Sequence, residues 1–95
     1  MSSEVLPVIL VVEDEPLIRL EAADIIEELG FTVLQAGNAA EALMLMEHKD
    51  AIAVLFTDID MPGKMNGLEL AGLVHERWPH VEIIIASGVM DVVGG

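Results

Sequence analysis

Cysteine is absent from this chain of 95 residues, which excludes disulfides and thiolate metal sites. Cations are almost as scarce: four Lys and Arg stand against 17 Asp and Glu, for a formal net charge of −13. A surface of that sign repels phosphate backbones, so direct binding of DNA or RNA is not expected. Long apolar runs are missing too. The longest, around Val8–Val12, falls far short of the ~20 residues that cross a membrane. No basic segment precedes it, since Glu4 stands there and the first cation is Arg19. A secretory leader is therefore not expected, and the cytoplasm is the default compartment.

What is present is oily. The hydrophobic fraction is 54% and the mean hydropathy is +0.60, which argues against disorder. A chain of this length holds one domain, residues 1–95, around one modest core. Leu6–Val12 reads as a first strand, apolar throughout as expected where both faces are covered. Pro16 suits the first turn of a helix whose apolar stripe is Ile18, Ala22, Ile25, Ile26 and Leu29, with Arg19 off it and Gly30 as C-cap. Phe31–Leu34 is a second strand. Asn38 with Glu41 resembles a capping box opening a helix that runs to about His48. Ile52–Thr57 is a third strand, Leu68–Trp78 a third helix stopped by Pro79, and Val81–Ala86 a fourth strand. Helices alternating with strands force parallel pairing and right-handed crossovers, so the expected fold is an open, doubly wound α/β sheet.

In such sheets ligands bind beyond the carboxyl ends of the strands, where strand order reverses. Three strand ends carry chemistry here: Glu13-Asp14-Glu15, Asp58-Ile59-Asp60 and Ser87-Gly88. Each also has a plainer reading. The acids before the first helix fit capping and dipole compensation, the Asp-x-Asp fits a turn, and Ser87 fits a turn serine. If the first and third strands are neighbours, however, Glu13, Asp14 and Asp58 converge. Two carboxylates ~4 Å apart repel by roughly 4 kcal/mol at an effective dielectric of 20, enough to raise one pKa by about 3. A hard divalent cation offsets that cost, and Mg²⁺ takes carboxylates, a carbonyl, waters and a phosphate oxygen. It also leaves Asp58 ionised and nucleophilic toward a phosphoryl group.

The stretches VILVVEDEP, LFTDIDMPG, NGLEL and IIIASG, in that order, resemble the receiver domain of two-component response regulators over residues 7–88. The resemblance implies a flavodoxin-like sheet of order 2-1-3-4-5. It implies that Asp58 is the phosphoacceptor, loaded by a histidine kinase or histidine phosphotransfer protein. Asp14 would bind Mg²⁺, or Mn²⁺ in its place, directly, with Glu13 acting through water and the backbone carbonyl of Asp60 adding a further oxygen. Ser87 and Gly88 would meet the phosphoryl oxygens. The chain departs from the family pattern in four ways. It ends before a fifth strand, so the family's lysine is not in it, Lys49 and Lys64 standing elsewhere. The fifth helix and the aromatic switch residue are missing with that strand. Lys64 lengthens the loop Met61–Gly67 by one residue. Asp60 places a negative side chain two residues past the acceptor.

The expected function is thus a phosphorelay switch and not a metabolic enzyme, with no membrane partner. Two alternatives carry different predictions. A haloacid-dehalogenase-like phosphatase also has Asp-x-Asp after an apolar strand, but that motif opens its fold, and no room remains here for its later Lys and acidic motifs. An interaction module of the same fold, impaired in phosphorylation, would instead pair or swap through the fourth strand, VEIIIAS, as an exposed apolar edge. His48, His75 and His80 read as surface residues, and the methionines and Trp78 as packing.

Overall fold

The computed structural model describes residues 7–49, 51–61 and 63–86. Leu6, assigned above to the first strand, and Ser87 and Gly88 lie outside these described residues. The elements run β1 (Val8–Val12), α1 (Pro16–Glu28), β2 (Thr32–Ala36), α2 (Ala39–His48), β3 (Ile52–Asp58), α3 (Gly67–Arg77) and β4 (Glu82–Ala86). All pairings are parallel, and the order is β2-β1-β3-β4. This is the expected 2-1-3-4 arrangement of a doubly wound sheet.

The alternation of side chains along each strand divides the molecule in two. Leu10, Val12, Ala36 and Leu55 point to one face, where Ala39, Ala42 and Met46 of α2 and Leu70 and Val74 of α3 complete the core. Val11 and Phe56 point to the other, under Ile18 and Ala22 of α1. The chain therefore crosses from one face to the other after β2. That crossing puts the reversal of strand order at β1 and β3.

Three local expectations change. First, β2 is Thr32–Ala36 rather than Phe31–Leu34, because pairing with β1 continues to Val12 opposite Ala36. Gly30, at φ 101°, ends α1 in the left-handed conformation, and Phe31 is spent leaving that turn. Second, Asn38 does cap α2 by accepting from the Glu41 N–H at 2.8 Å, but the box is not reciprocal. The Glu41 carboxylate reaches one residue further, to the Gly37 N–H at 2.7 Å. The reciprocal box is on α3, between Asn66 and Glu69, so that helix begins at Gly67.

Third, the stripe expected to bury α1 is largely outside. Ala23 is its buried residue, Ala22 and Ile26 are half-buried, and Ile18, Ile25 and Leu29 are 52%, 59% and 71% exposed. Among the described residues α1 is the one helix on its face of the sheet. It is thus covered only along the strip that touches the strands.

Candidate functional site

The β1–β3 register places Val12 opposite Thr57, so the next residues, Glu13 and Asp58, leave the sheet side by side at its carboxyl end. With Asp14 they bring one carboxylate oxygen each within 4.8 Å of one another. The convergence expected from strand adjacency is what the structure shows. The N-cap of α1 is Glu15, whose side chain makes no capping bond. Glu13 Oε2 accepts from the Glu15 N–H at 3.0 Å, a bond that fixes the side chain before the helix starts.

Both arms of the site are held by backbone. The Glu13 N–H donates to the Ala36 carbonyl at 3.1 Å, and the Glu13 carbonyl accepts from Arg19 Nη1 at 2.9 Å. Arg19 also donates from Nε to Gln35 Oε1 at 3.3 Å, tying α1 to β2 across the base of the site. On the other arm, Thr57 is wholly buried and its hydroxyl donates to the Asp58 carbonyl at 3.0 Å. The Ile59 N–H donates to Ala86 at 3.2 Å, and the Ile59 carbonyl accepts from the Gly67 N–H at 2.8 Å. Gly67 sits so close that an added Cβ would overlap the Asp58 carbonyl oxygen and lie 2.7 Å from its carbon. A residue without a side chain is required there.

Burial raises the Glu13 carboxyl above its ordinary value of 4.5, and the charges of Asp58 and Asp14 add to the rise while the Glu15 N–H opposes it. Sequence reasoning expected one acid of the group to shift by repulsion. Of the causes that raise Glu13, desolvation comes first and repulsion second.

The donor set suits a hard cation. Mg²⁺ binds oxygens at 2.0–2.1 Å in an octahedron, so its ligand oxygens stand roughly 3 to 4 Å apart. Three carboxylate oxygens within 4.8 Å reach that spacing by small side-chain rotations. Mn²⁺, another taker of oxygen ligands, fits the same set.

Asp60 is exposed, and its side chain is not one of the three that converge. Lys64 is exposed on the β3–α3 loop and lines a cleft together with Asp14. Lys49 lies at the opposite end of the sheet, in a hollow shared with Arg77 and Trp78. His48, His75 and His80 are exposed, as expected, and His48 Nδ1 is 2.8 Å from the Met44 carbonyl. Met46 and Met61 are core residues, and Trp78 is half-buried under the Arg77 guanidinium, 4.6 Å from its ring centre. Arg19, Gln35 and Thr57 escaped the sequence reading. Arg19 could have been found, as the sole cation of the first 48 residues, one turn into the helix that follows the acids.

The family described as response regulator receiver domain matches residues 9–93. The chain belongs to it. Among curated proteins, the receiver is 33% identical over 85 residues to the response regulator protein FleR of Pseudomonas aeruginosa, covering 87% of this chain and 18% of FleR. It is 31% identical over 84 residues to the sensor kinase CckA of Brucella abortus, covering 87% of this chain and 9% of CckA. The receiver thus spans less than a fifth of these relatives' length. Among solved structures, the response regulator TrrA of Thermotoga maritima, in complex with Mg²⁺–BeF, superposes with a TM-score of 0.83 at 33% identity, covering 88% of this chain and 71% of that one. Receivers are signalling switches, and Asp58 ends the third strand, whereas the Asp-x-Asp of the phosphatase alternative opens its fold. Among the described residues no helix is long and apolar enough to cross a membrane.

Proposed function

We propose that Asp58 accepts a phosphoryl group from a phosphohistidine on a histidine kinase or histidine phosphotransfer protein. A divalent ion would be held by Glu13, Asp14, Asp58 and the backbone carbonyl of Asp60. The observation that carries this reading is the meeting of three carboxylates from two strand ends at the point where strand order reverses. The Mg²⁺–BeF complex of TrrA supports the ion, and the kinase relative supports the donor class.

In the reaction an Asp58 carboxylate oxygen bonds to phosphorus as the bond from phosphorus to the donor's imidazole nitrogen breaks. The imidazole keeps that electron pair and takes up a proton, and Asp58 becomes an acyl phosphate. A bound cation supplies charge neutralisation to the crowded oxygens. The protein's own contribution is position: Thr57 and Gly67 fix the Asp58 backbone, while Arg19 and Ala36 fix that of Glu13. Ser87 and Gly88, outside the described residues, would receive the phosphoryl oxygens.

The test is labelling by a small phosphoramidate. Intact mass should rise by one phosphoryl group only with Mg²⁺ or Mn²⁺ present, and Asp58→Asn should abolish the gain. Labelling that survives in Asp58→Asn, or that ignores the metal, would overturn the reading.

A second reading, an interaction module that is not phosphorylated, is favoured by the apolar surface of β4, where Ile84 and Ile85 are 49% and 38% exposed. It predicts self-association with no phosphoryl uptake at all.

A further inference from the structure

Charge accumulates at this site when it reacts. Three carboxylates and a divalent ion leave one net negative charge, and an acyl phosphate in place of the Asp58 carboxylate adds up to one more. Among the described residues, four Lys and Arg could answer it. Arg19 is committed to the Glu13 carbonyl and Gln35. Arg77 pairs with Glu47 at 3.0 Å, and Lys49 shares that far end of the sheet. That leaves Lys64.

Its place is set from both sides. Gly63, at φ 106°, turns the loop in a conformation that side chains rarely adopt. Met65 is half-buried against the core. Lys64, between them, lines a cleft of about 720 Å³ whose walls also include Ala39, Leu43, Met65 and Asp14. The cleft therefore shares one carboxylate, Asp14, with the acidic centre, and among the described residues that line it Lys64 carries the one ammonium group.

We infer that Lys64 sets the charge balance of the centre from the loop side, opposing the divalent ion and favouring the phosphoryl anion. This rests on the function proposed above for the anion half, whereas the ion half needs only the carboxylate cluster. The two halves have opposite signs, and a merely structural role for Lys64 would not produce that. Ions within a Debye length feel a unit charge by a few-fold in affinity.

The experiment measures Mg²⁺ affinity by titration calorimetry, and beryllofluoride loading by ¹⁹F NMR, in the wild type, Lys64→Gln, Lys64→Arg and the distant control Lys49→Gln. Lys64→Gln should bind Mg²⁺ about two- to five-fold more tightly and beryllofluoride about two- to five-fold more weakly. Lys64→Arg should restore both, Lys49→Gln should change neither, and salt should shrink both effects. If the wild type loads and Lys64→Gln alters neither affinity, or alters both in one direction, the inference is wrong. If the wild type itself takes no beryllofluoride, the proposed function fails, and the Mg²⁺ arm alone decides Lys64: tighter binding in Lys64→Gln supports its role and unchanged binding refutes it.

Discussion

Gly67→Ala is the sharpest perturbation of the acceptor that leaves every functional group in place. The new methyl would overlap the Asp58 carbonyl oxygen, and would stand 2.7 Å from its carbon and 2.9 Å from Ile59 Cα. Carbon atoms rest about 3.5–4.0 Å apart, so roughly 1 Å must be recovered. What blocks the methyl is backbone, not the free end of a side chain. Either the first turn of α3 lifts off or the end of β3 bends, and the hydrogen bond from the Gly67 N–H to the Ile59 carbonyl at 2.8 Å resists both. Overpacking of this kind costs about 1–3 kcal/mol. Replacing glycine by alanine in a helix returns about 0.5–1 kcal/mol by restricting the unfolded chain.

The net loss is then at most about 2.5 kcal/mol, a fall in Tm of up to roughly 20 °C for a domain of this size. Gly72→Ala is the matched control, since that α3 position has nothing within 4 Å of an added Cβ. It should gain about 0.5–1 kcal/mol. Thermal and urea unfolding measure both variants, and calorimetry should find Mg²⁺ binding weakened in Gly67→Ala alone, because the shifted carbonyl is that of Asp58. If Gly67→Ala were as stable as Gly72→Ala and bound Mg²⁺ normally, the close approach of α3 to the acceptor would be wrong.

Asn66→Ala should cost about 1 kcal/mol by urea unfolding, as should Asn38→Ala, since each removes a helix cap. Only Asn66→Ala should also slow phosphoryl uptake, because α3 begins against the acceptor. Arg19→Ala should cost about 1–2 kcal/mol, mainly through its partly buried bond to the Glu13 carbonyl, whereas Arg77→Ala, which breaks an exposed pair, should stay within about 0.5 kcal/mol; equal losses would contradict the role given to Arg19. Burial raises the Glu13 carboxyl, so the folded protein keeps a proton there that the unfolded chain releases above its ordinary value of 4.5. Stability from this group is therefore lost as pH rises through the folded value. The difference in Tm between the wild type and Glu13→Gln should change across that window without Mg²⁺ and flatten with it; a constant difference counts against the shift. The interaction reading predicts association through β4 that strengthens with salt, as screening weakens repulsion between chains of net charge −13, and light scattering from a clean monomer at high concentration would exclude it.

The alternation of elements was legible because β1, β3 and β4 are built on short apolar runs and each helix opens with a cap or a proline. The meeting of Glu13, Asp14 and Asp58 needed one premise beyond that alternation, that β1 and β3 are neighbours, which the family resemblance implied and the strand order bears out. What could not be read depended on contacts between distant segments. Periodicity assigned α1 a wide buried stripe, but the sheet covers only the line through Ala23. Arg19 looked like a solvated charge because its partners, the Glu13 carbonyl and Gln35, carry no formal charge. The box on α3 was missed because Gly67, a poor helix former, hides a helix start that Asn66 and Glu69 define.

The register of β3 explains why the acids meet as they do. Val8 lies opposite Ile52, yet Ile9 lies opposite Val54, so β3 carries one extra residue, Ala53, at its amino end. Without that shift Glu13 would stand opposite Thr57, and Asp58 would come one residue further along, beside Asp14. A slip of one residue also reverses the face on which every later side chain emerges. Asp58 would then turn toward the α2 and α3 core with no partner for its charge, and the buried Thr57 hydroxyl would turn toward α1. Neither β1 nor β3 has the polar alternation that would mark the register in sequence, because strands of a parallel sheet covered on both faces are apolar on both. The pairing that creates the site is therefore decided by a small irregularity at the end of the sheet furthest from it.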